Sequence, residues 1–208
     1  MKLPLGWILF FLTALALAHP NVGRSSSFHS NLRRNSSAPY QVKEPPLTTP
    51  WTYHVGTKPW PEYPRPQLQR PQWLTLNGIW TYENASSLDA VHSPPTNRTL
   101  ANQVLVPSCL ESGLSGIQGN TTIYSWFSTH FTLPKDWDVK SQSILLHFGA
   151  VDYEATIFVN GQKAGFNRGG YFEFTIDLTH FLTPGHSNEL YVVTRILLGT
   201  LQRIDMSF

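Results

Sequence analysis

Hydrophobic and polar residues alternate most regularly between positions 144 and 182. Residues 144–148 form an apolar run. Residues 153–160 alternate, with Ala155, Ile157 and Val159 on one side. Residues 171–176 alternate again, with Phe172, Phe174 and Ile176 together. A period of two places alternate side chains on one face of a sheet. Asn160-Gly161 favours a type I′ hairpin turn, because both residues tolerate positive φ. Gly169-Gly170 marks a second point of backbone freedom or close chain approach. The segment is expected to be an antiparallel meander with one buried face. Further strands are expected at 79–83, 100–106, 121–133 and 189–194, separated by turn signals such as Ser93-Pro94-Pro95 and Pro184-Gly185. Short strands punctuated in this way predict an all-β sandwich or barrel. Helical signals are sparse; 177–182 predicts a single helical turn with Asp177 near its N-cap.

Outside the strand region the pattern changes twice. Residues 19–50 are rich in Ser, Asn and Pro and carry little apolar periodicity, so they are expected to be a disordered lead. In residues 51–72, Trp51, Tyr53, Trp60 and Tyr63 stand among Pro59, Pro61, Pro64, Pro66 and Pro71. Proline favours an extended path, and the aromatics are expected to pin this strap to the surface of a domain spanning 73–193. Residues 194–208 form an atypical tail.

Residues 1–18 have the layout of a secretory signal: Lys2, an apolar stretch over 5–17, and Ala16-Leu17-Ala18 as a small-x-small cleavage site. The apolar stretch is too short to span a bilayer, so a secreted, extracellular protein is expected, with no membrane contact after signal removal. Asn35, Asn84, Asn97 and Asn120 each begin a glycosylation sequon. Cys109 is the single cysteine, so no disulfide can form within the chain; it is expected to act as a small buried apolar group. Net charge is +2, but the basic excess lies before residue 73, and Arg33-Arg34 is the only basic pair. That distribution excludes a nucleic-acid surface. Eight histidines lie without metal-ligand spacing, and no phosphate-binding glycine loop is present. No metal or cofactor is expected.

The order of motifs carries a resemblance. Leu76-Asn77-Gly78-Ile79-Trp80 comes first, then Val106-Pro107-Ser108-Cys109-Leu110-Glu111-Ser112-Gly113-Leu114-Ser115-Gly116, then Tyr124-Ser125-Trp126-Phe127. Gly149-Ala150-Val151-Asp152-Tyr153-Glu154-Ala155, Val159-Asn160-Gly161, Arg168-Gly169-Gly170-Tyr171 and Asp177-Leu178-Thr179 follow. Over 65–193 this series resembles the N-terminal sugar-binding domain of glycoside hydrolase family 2, which includes β-galactosidases, β-glucuronidases and β-mannosidases. The resemblance implies a jelly-roll, galactose-binding-like antiparallel sandwich, with carbohydrate as the partner. In that family the acid/base and nucleophile glutamates lie on a separate (β/α)₈ barrel, so no catalytic residue is assigned here. The barrel would be the domain's packing partner. After Val193 no family motif is recognised, and a sandwich truncated at its C-terminal strand, inactive by itself, is expected.

Glycoside hydrolysis needs two carboxylates flanking the scissile bond. Asp152 and Glu154 lie two apart, about 7 Å along one face of a strand; the strand pattern instead suggests a loop or solvent-facing pair opposite Ala155, Ile157 and Val159. Asp136 and Asp138 bracket Trp137 in a turn, where Asp bonds its own backbone. For sugar binding, aromatic faces and planar polar side chains are required. Asn167, Arg168 and Tyr171 around Gly169-Gly170 are candidates, as are Glu111 and Trp126. The structural alternative has Arg168 paired with a carboxylate and Tyr171 packed. The rival class is a stand-alone lectin-like module.

Overall fold

A computed structural model describes residues 39–44, 47–85, 87, 89–119, 122–196 and 203–207. The proposed signal, most of the lead, and the sequons at Asn35 and Asn120 lie outside the described residues. Among the described residues ten strands follow in order: β1 (Gly78–Asn84), β2 (Asn102–Val106), β3 (Ser108–Cys109), β4 (Tyr124–Phe131), β5 (Leu145–Val151), β6 (Glu154–Val159), β7 (Gln162–Arg168), β8 (Phe174–Asp177), β9 (Asn188–Arg195) and β10 (Arg203–Ser207). The first sheet has the order β2-β1-β4-β9-β6-β7 and the second β3-β10-β5-β8. Every pairing is antiparallel. The protein is an all-β sandwich, as the alternation predicts.

The main core lies between the sheets. Trp80, Phe127, Ile157 and Val192 from the first sheet meet Leu146, Phe148 and Val151 from the second. Ala155, Ile157 and Val159 share one buried face, as expected. The first sheet is also covered on its far side. There Leu100, Trp126, Phe158, Tyr191 and Val193 form a second cluster, with Ala85 and Val91 packed against it. This explains why residues 190–193 read as a continuous apolar run rather than an alternation: β9 is buried on both faces. The covering segment is fastened by the Tyr191 hydroxyl, which donates to the Pro95 carbonyl at 2.8 Å. Arg98 adds a two-pronged contact to Glu83 at 2.7 and 2.8 Å. Burial and the neighbouring Glu189 push the Tyr191 phenol well above its usual pKa.

Asn160 (φ 49°) and Gly161 (φ 79°) make the expected left-handed turn. Asn160 serves twice, because its amide also donates to the Phe181 carbonyl at 2.8 Å and accepts from the Glu189 N–H at 2.9 Å. The turn's second arm, β7, was not expected. It is an edge strand bearing Lys163 and Arg168, so it shows no alternation. Gly165 within it lies under Ile176: a Cβ there would sit 2.4 Å from the Ile176 Cδ1.

Four expectations are corrected. The three strands of residues 144–182 are not one meander: β5 and β8 pair in the second sheet, while β6 crosses to the first. Alternation reports which face is buried, not which sheet a strand joins. Strand β8 begins at Phe174, leaving Tyr171 and Phe172 exposed in the crossover loop. The residues after Asp177 form a turn rather than a helix, with Asp177 accepting from the Thr179 N–H at 2.9 Å. The tail supplies a strand, with β10 pairing Ile204 to Val151 and Arg203 to Cys109. A backbone pairing of this kind needs no recognisable motif. Cys109 is half-buried in β3.

The lead and strap also differ in detail. Tyr40 is fastened to the loop after β3: its ring lies against Gly116, and its hydroxyl donates to the Leu114 carbonyl at 2.7 Å. In the strap, Trp51, Tyr53 and Trp60 are exposed, not pinned. Tyr63 alone packs as expected, edge-on to Trp73 at 4.5 Å. Polar contacts do the rest. Arg65 pairs with Glu173, and the Asn77 amide donates to the Pro59 carbonyl at 3.3 Å.

Candidate functional site

One member of each carboxylate pair, Asp138 and Glu154, is held by hydrogen bonds or ion pairs. Asp138 accepts from the Lys140 N–H at 2.9 Å and the Ser141 hydroxyl at 2.8 Å, which closes its turn and holds its carboxyl below the usual carboxylate range. Glu154 lies opposite Arg168 on β7 and Arg195 on β9, and meets their guanidinium groups at 2.8 and 3.2 Å. Asp152 is largely buried where β5 crosses to β6, with Gly170 pressed against its side chain. These arrangements fix loops and strands; they do not present two carboxylates to a shared space.

The residues proposed for sugar binding do not converge. Trp126 is 3% exposed within the second cluster, edge-on to Tyr191, so its faces are closed to a ligand. Glu111 is half-buried in the turn after β3, outside that cluster. Asn167 and Arg168 are neighbours on β7, and the pleat turns them to opposite faces. The Asn167 amide donates to the Gly169 carbonyl at 3.4 Å, whereas Arg168 holds Glu154. Tyr171, at 85% exposed, projects from the crossover loop. Asn84 and Asn97 are exposed. Asn97 sits at positive φ (61°) in a turn, while Asn84 accepts from the hydroxyls of Tyr82 and Thr122. Among the described residues no group of His, Cys, Asp and Glu could hold a metal ion, and no helix is long and apolar enough to cross a membrane.

A concavity lies elsewhere, between the strap and the second sheet. Leu146 and Phe148 of β5 face the core, so the pleat turns His147 outward. There its Nδ1 lies 2.8 Å from the Thr175 hydroxyl of β8. The strap passes over this face and encloses a cleft of about 670 Å³. Trp60, Tyr63 and Trp73 supply aromatic surface, and Glu62, Arg65, Arg70, Asn77 and Glu173 supply polar groups. A second cleft of about 390 Å³ shares Arg70, Trp73 and His147 with the first, and Trp137 forms another wall. Burial lowers the His147 pKa first, followed by the charges of Arg70 and Arg65, so the ring is held toward its neutral form. Clefts of this size, with aromatic walls and a few polar groups, suit small polar ligands. Among the described residues, the Trp73 indole N–H and the Asn77 side-chain oxygen are closed off from solvent without a hydrogen-bond partner.

Residues 115–199 match the family model described as glycosyl hydrolases family 2, sugar binding domain. The chain carries a family 2 sugar binding domain. Its relatives include a β-glucuronidase of Paenibacillus borealis, 22% identical over 66% of this chain, and a β-galactosidase of Thermoanaerobacter pseudethanolicus, 32% identical over 57%. The chain spans 23% and 14% of the lengths of those relatives. Among solved structures, the Faecalibacterium prausnitzii β-glucuronidase is 26% identical and superposes with a TM-score of 0.51, covering 64% of this chain and 22% of that one. The Lactobacillus rhamnosus β-glucuronidase shares the fold at 21% identity, with a TM-score of 0.52 over 67% of this chain and 26% of that one.

In this family 2 domain the strap cleft went unread in the sequence, although its aromatics stood out. The available signal was the density of Trp and Tyr in a segment without alternation. Pinning and presentation produce the same composition; only the packing separates Tyr63, which packs, from Trp60, which is 60% exposed.

Proposed function

We propose that this chain is the carbohydrate-recognising, non-catalytic N-terminal domain of a secreted family 2 glycoside hydrolase acting on β-linked glycosides, and that saccharide lies in the cleft beneath the strap. The observation that carries this reading is the cleft's composition: five aromatic residues, Trp60, Tyr63 and Trp73 with Phe148 and Phe174, and several polar groups around about 670 Å³. Sugars offer apolar ring faces and peripheral hydroxyls, which such walls complement. The names of the relatives, β-glucuronidase and β-galactosidase, support β-glycosides as the substrate class. The hydrogen-bonded or ion-paired carboxylates at 138 and 154 support placing hydrolysis outside this domain. The signal-like residues 1–18 and the exposed sequons at Asn84 and Asn97 support secretion.

The test is a titration of the purified chain with β-linked disaccharides, followed by tryptophan fluorescence and calorimetry, alongside a chromogenic β-glycoside assay. Binding that weakens several-fold in Trp60→Ala, with no turnover, is expected. A folded chain that binds none of the sugars at millimolar concentration overturns the reading, as does turnover abolished by Glu154→Gln.

A further inference from the structure

The smaller cleft differs from the larger in charge. The larger contains Glu62 and Glu173 as well as Arg65 and Arg70, so opposite charges are matched there. The smaller contains Arg70 and no carboxylate. Arg65 is already paired with Glu173. Arg70 has no ion-pair partner among the described residues. An unpaired guanidinium beside apolar walls is a ready partner for an oxyanion, which it can meet through two parallel N–H bonds.

The walls are preorganised. Trp137 is half-buried against the main core, and its backbone N–H donates to the Pro134 carbonyl at 3.1 Å. The Asp138 turn holds it there, and the Gln142 side-chain oxygen accepts from the Asp138 N–H at 3.1 Å. The Gln142 amide in turn donates to the Gln72 side-chain oxygen at 2.9 Å. That leaves the Gln72 amide N–H groups directed to no described partner, available to ring hydroxyls. Both clefts are lined by Arg70, Trp73 and His147, so they adjoin one another.

We propose that the smaller cleft takes an acidic sugar unit of a saccharide chain, with its carboxylate or sulfate ester on Arg70 and its ring against Trp73 and Trp137. This rests on the strap cleft being a carbohydrate site. The ligand class is therefore an anionic oligosaccharide of at least two units, with the acidic unit in the second cleft and a neutral unit beneath the strap. His147 at the junction is held toward its neutral form first by burial and then by the charges of Arg70 and Arg65, with Glu173 opposing them.

The experiment titrates the full chain at low salt with four disaccharides: one bearing a glucuronate unit, its methyl ester, the neutral glucose counterpart, and a sulfate-ester analogue. The glucuronate or the sulfate form is expected to bind roughly tenfold tighter than the neutral pair, with the preference shrinking as salt rises. Which of the two anions prevails identifies the source of the charge. Arg70→Gln should lower the ratio of acidic to neutral affinity to about one, and Arg70→Lys should restore part of that ratio, while Trp137→Ala should weaken every ligand whose second unit reaches the smaller cleft. Equal affinities for acidic and neutral sugars overturn this inference and leave the strap-cleft reading standing. An unchanged preference in Arg70→Gln does the same. If a folded chain binds none of the four, both readings fall together.

Discussion

Replacing Glu154 by Gln tests whether this carboxylate is structural. The side chain is 13% exposed and bridges β7 to β9 through Arg168 and Arg195, which are 61% and 42% exposed. Gln keeps the size and removes the charge. A hydrogen bond to a charged group contributes about 1.5–3 kcal/mol when shielded, and a fully exposed ion pair about 0.2–1 kcal/mol. With a shielded acceptor and solvent-washed donors, each contact falls between these limits, so the substitution should cost about 1–2 kcal/mol in total. For a domain of this size that lowers the melting temperature by roughly 2–8 °C. Urea unfolding followed by tryptophan fluorescence measures the free energy, and calorimetry the midpoint. A double-mutant cycle with Arg168→Gln isolates one bridge and should show a coupling of about 0.5–1 kcal/mol. Unfolding within about 0.3 kcal/mol of the parent would refute the reasoning. So would intact stability combined with lost saccharide binding, because the carboxylate would then serve a ligand rather than the sheet.

Trp126→Ala should destabilise the fold by about 3–5 kcal/mol, as large buried aromatic truncations do, while Tyr171→Ala should stay within about 0.5 kcal/mol; urea midpoints for the pair check this, and a reversed order would contradict the assigned packing. Gly170→Ala would set a Cβ 2.6 Å from the Asp152 Oδ1 at a largely buried position, for an expected loss of about 1–3 kcal/mol by overpacking, read as a lower urea midpoint. Because burial and nearby arginines lower the His147 pKa in the fold from 6.5, the unfolded chain takes up that proton first as pH falls. Its contribution is complete above about pH 6.5 and declines as pH drops from there to the folded value, and His147→Gln should flatten that part of the stability profile. Glu83 and Asp177 have lowered values set chiefly by hydrogen bonds from Arg98 and Thr179. Their stabilisation is present above the ordinary carboxylate range and is lost as pH falls through it, which should appear as a second decline at lower pH.

Much of the architecture was legible because it is local. The spacing of Ala155, Ile157 and Val159 identified the buried face of β6, and Asn160-Gly161 located a hairpin whose φ values match its chemistry. The turn role of Asp138 followed from the same short-range logic. The site was far less legible. Asn167, Arg168 and Tyr171 are close in the chain but diverge in space, since a strand sends neighbours to opposite faces and Tyr171 lies past the end of β7. Trp126 read as an available aromatic because nothing local in the sequence shows that Ala85, Val91 and Leu100 come to lie against it.

The amino-acid order alone determined that this chain is built of strands, where most of them begin and end, and the family to which its motifs belong. These properties arise from contacts within a few residues and from a repeat of two. Tertiary structure decided which sheet each strand joins, that β7 forms an edge of the first sheet while β10 fills the second between β3 and β5, and that the first sheet is buried on both sides. It also decided which aromatics pack and which remain at the surface of a cleft formed by residues as distant as Trp60 and Thr175. Pairing and coverage depend on long-range partners, and one-dimensional alternation holds no record of who lies opposite.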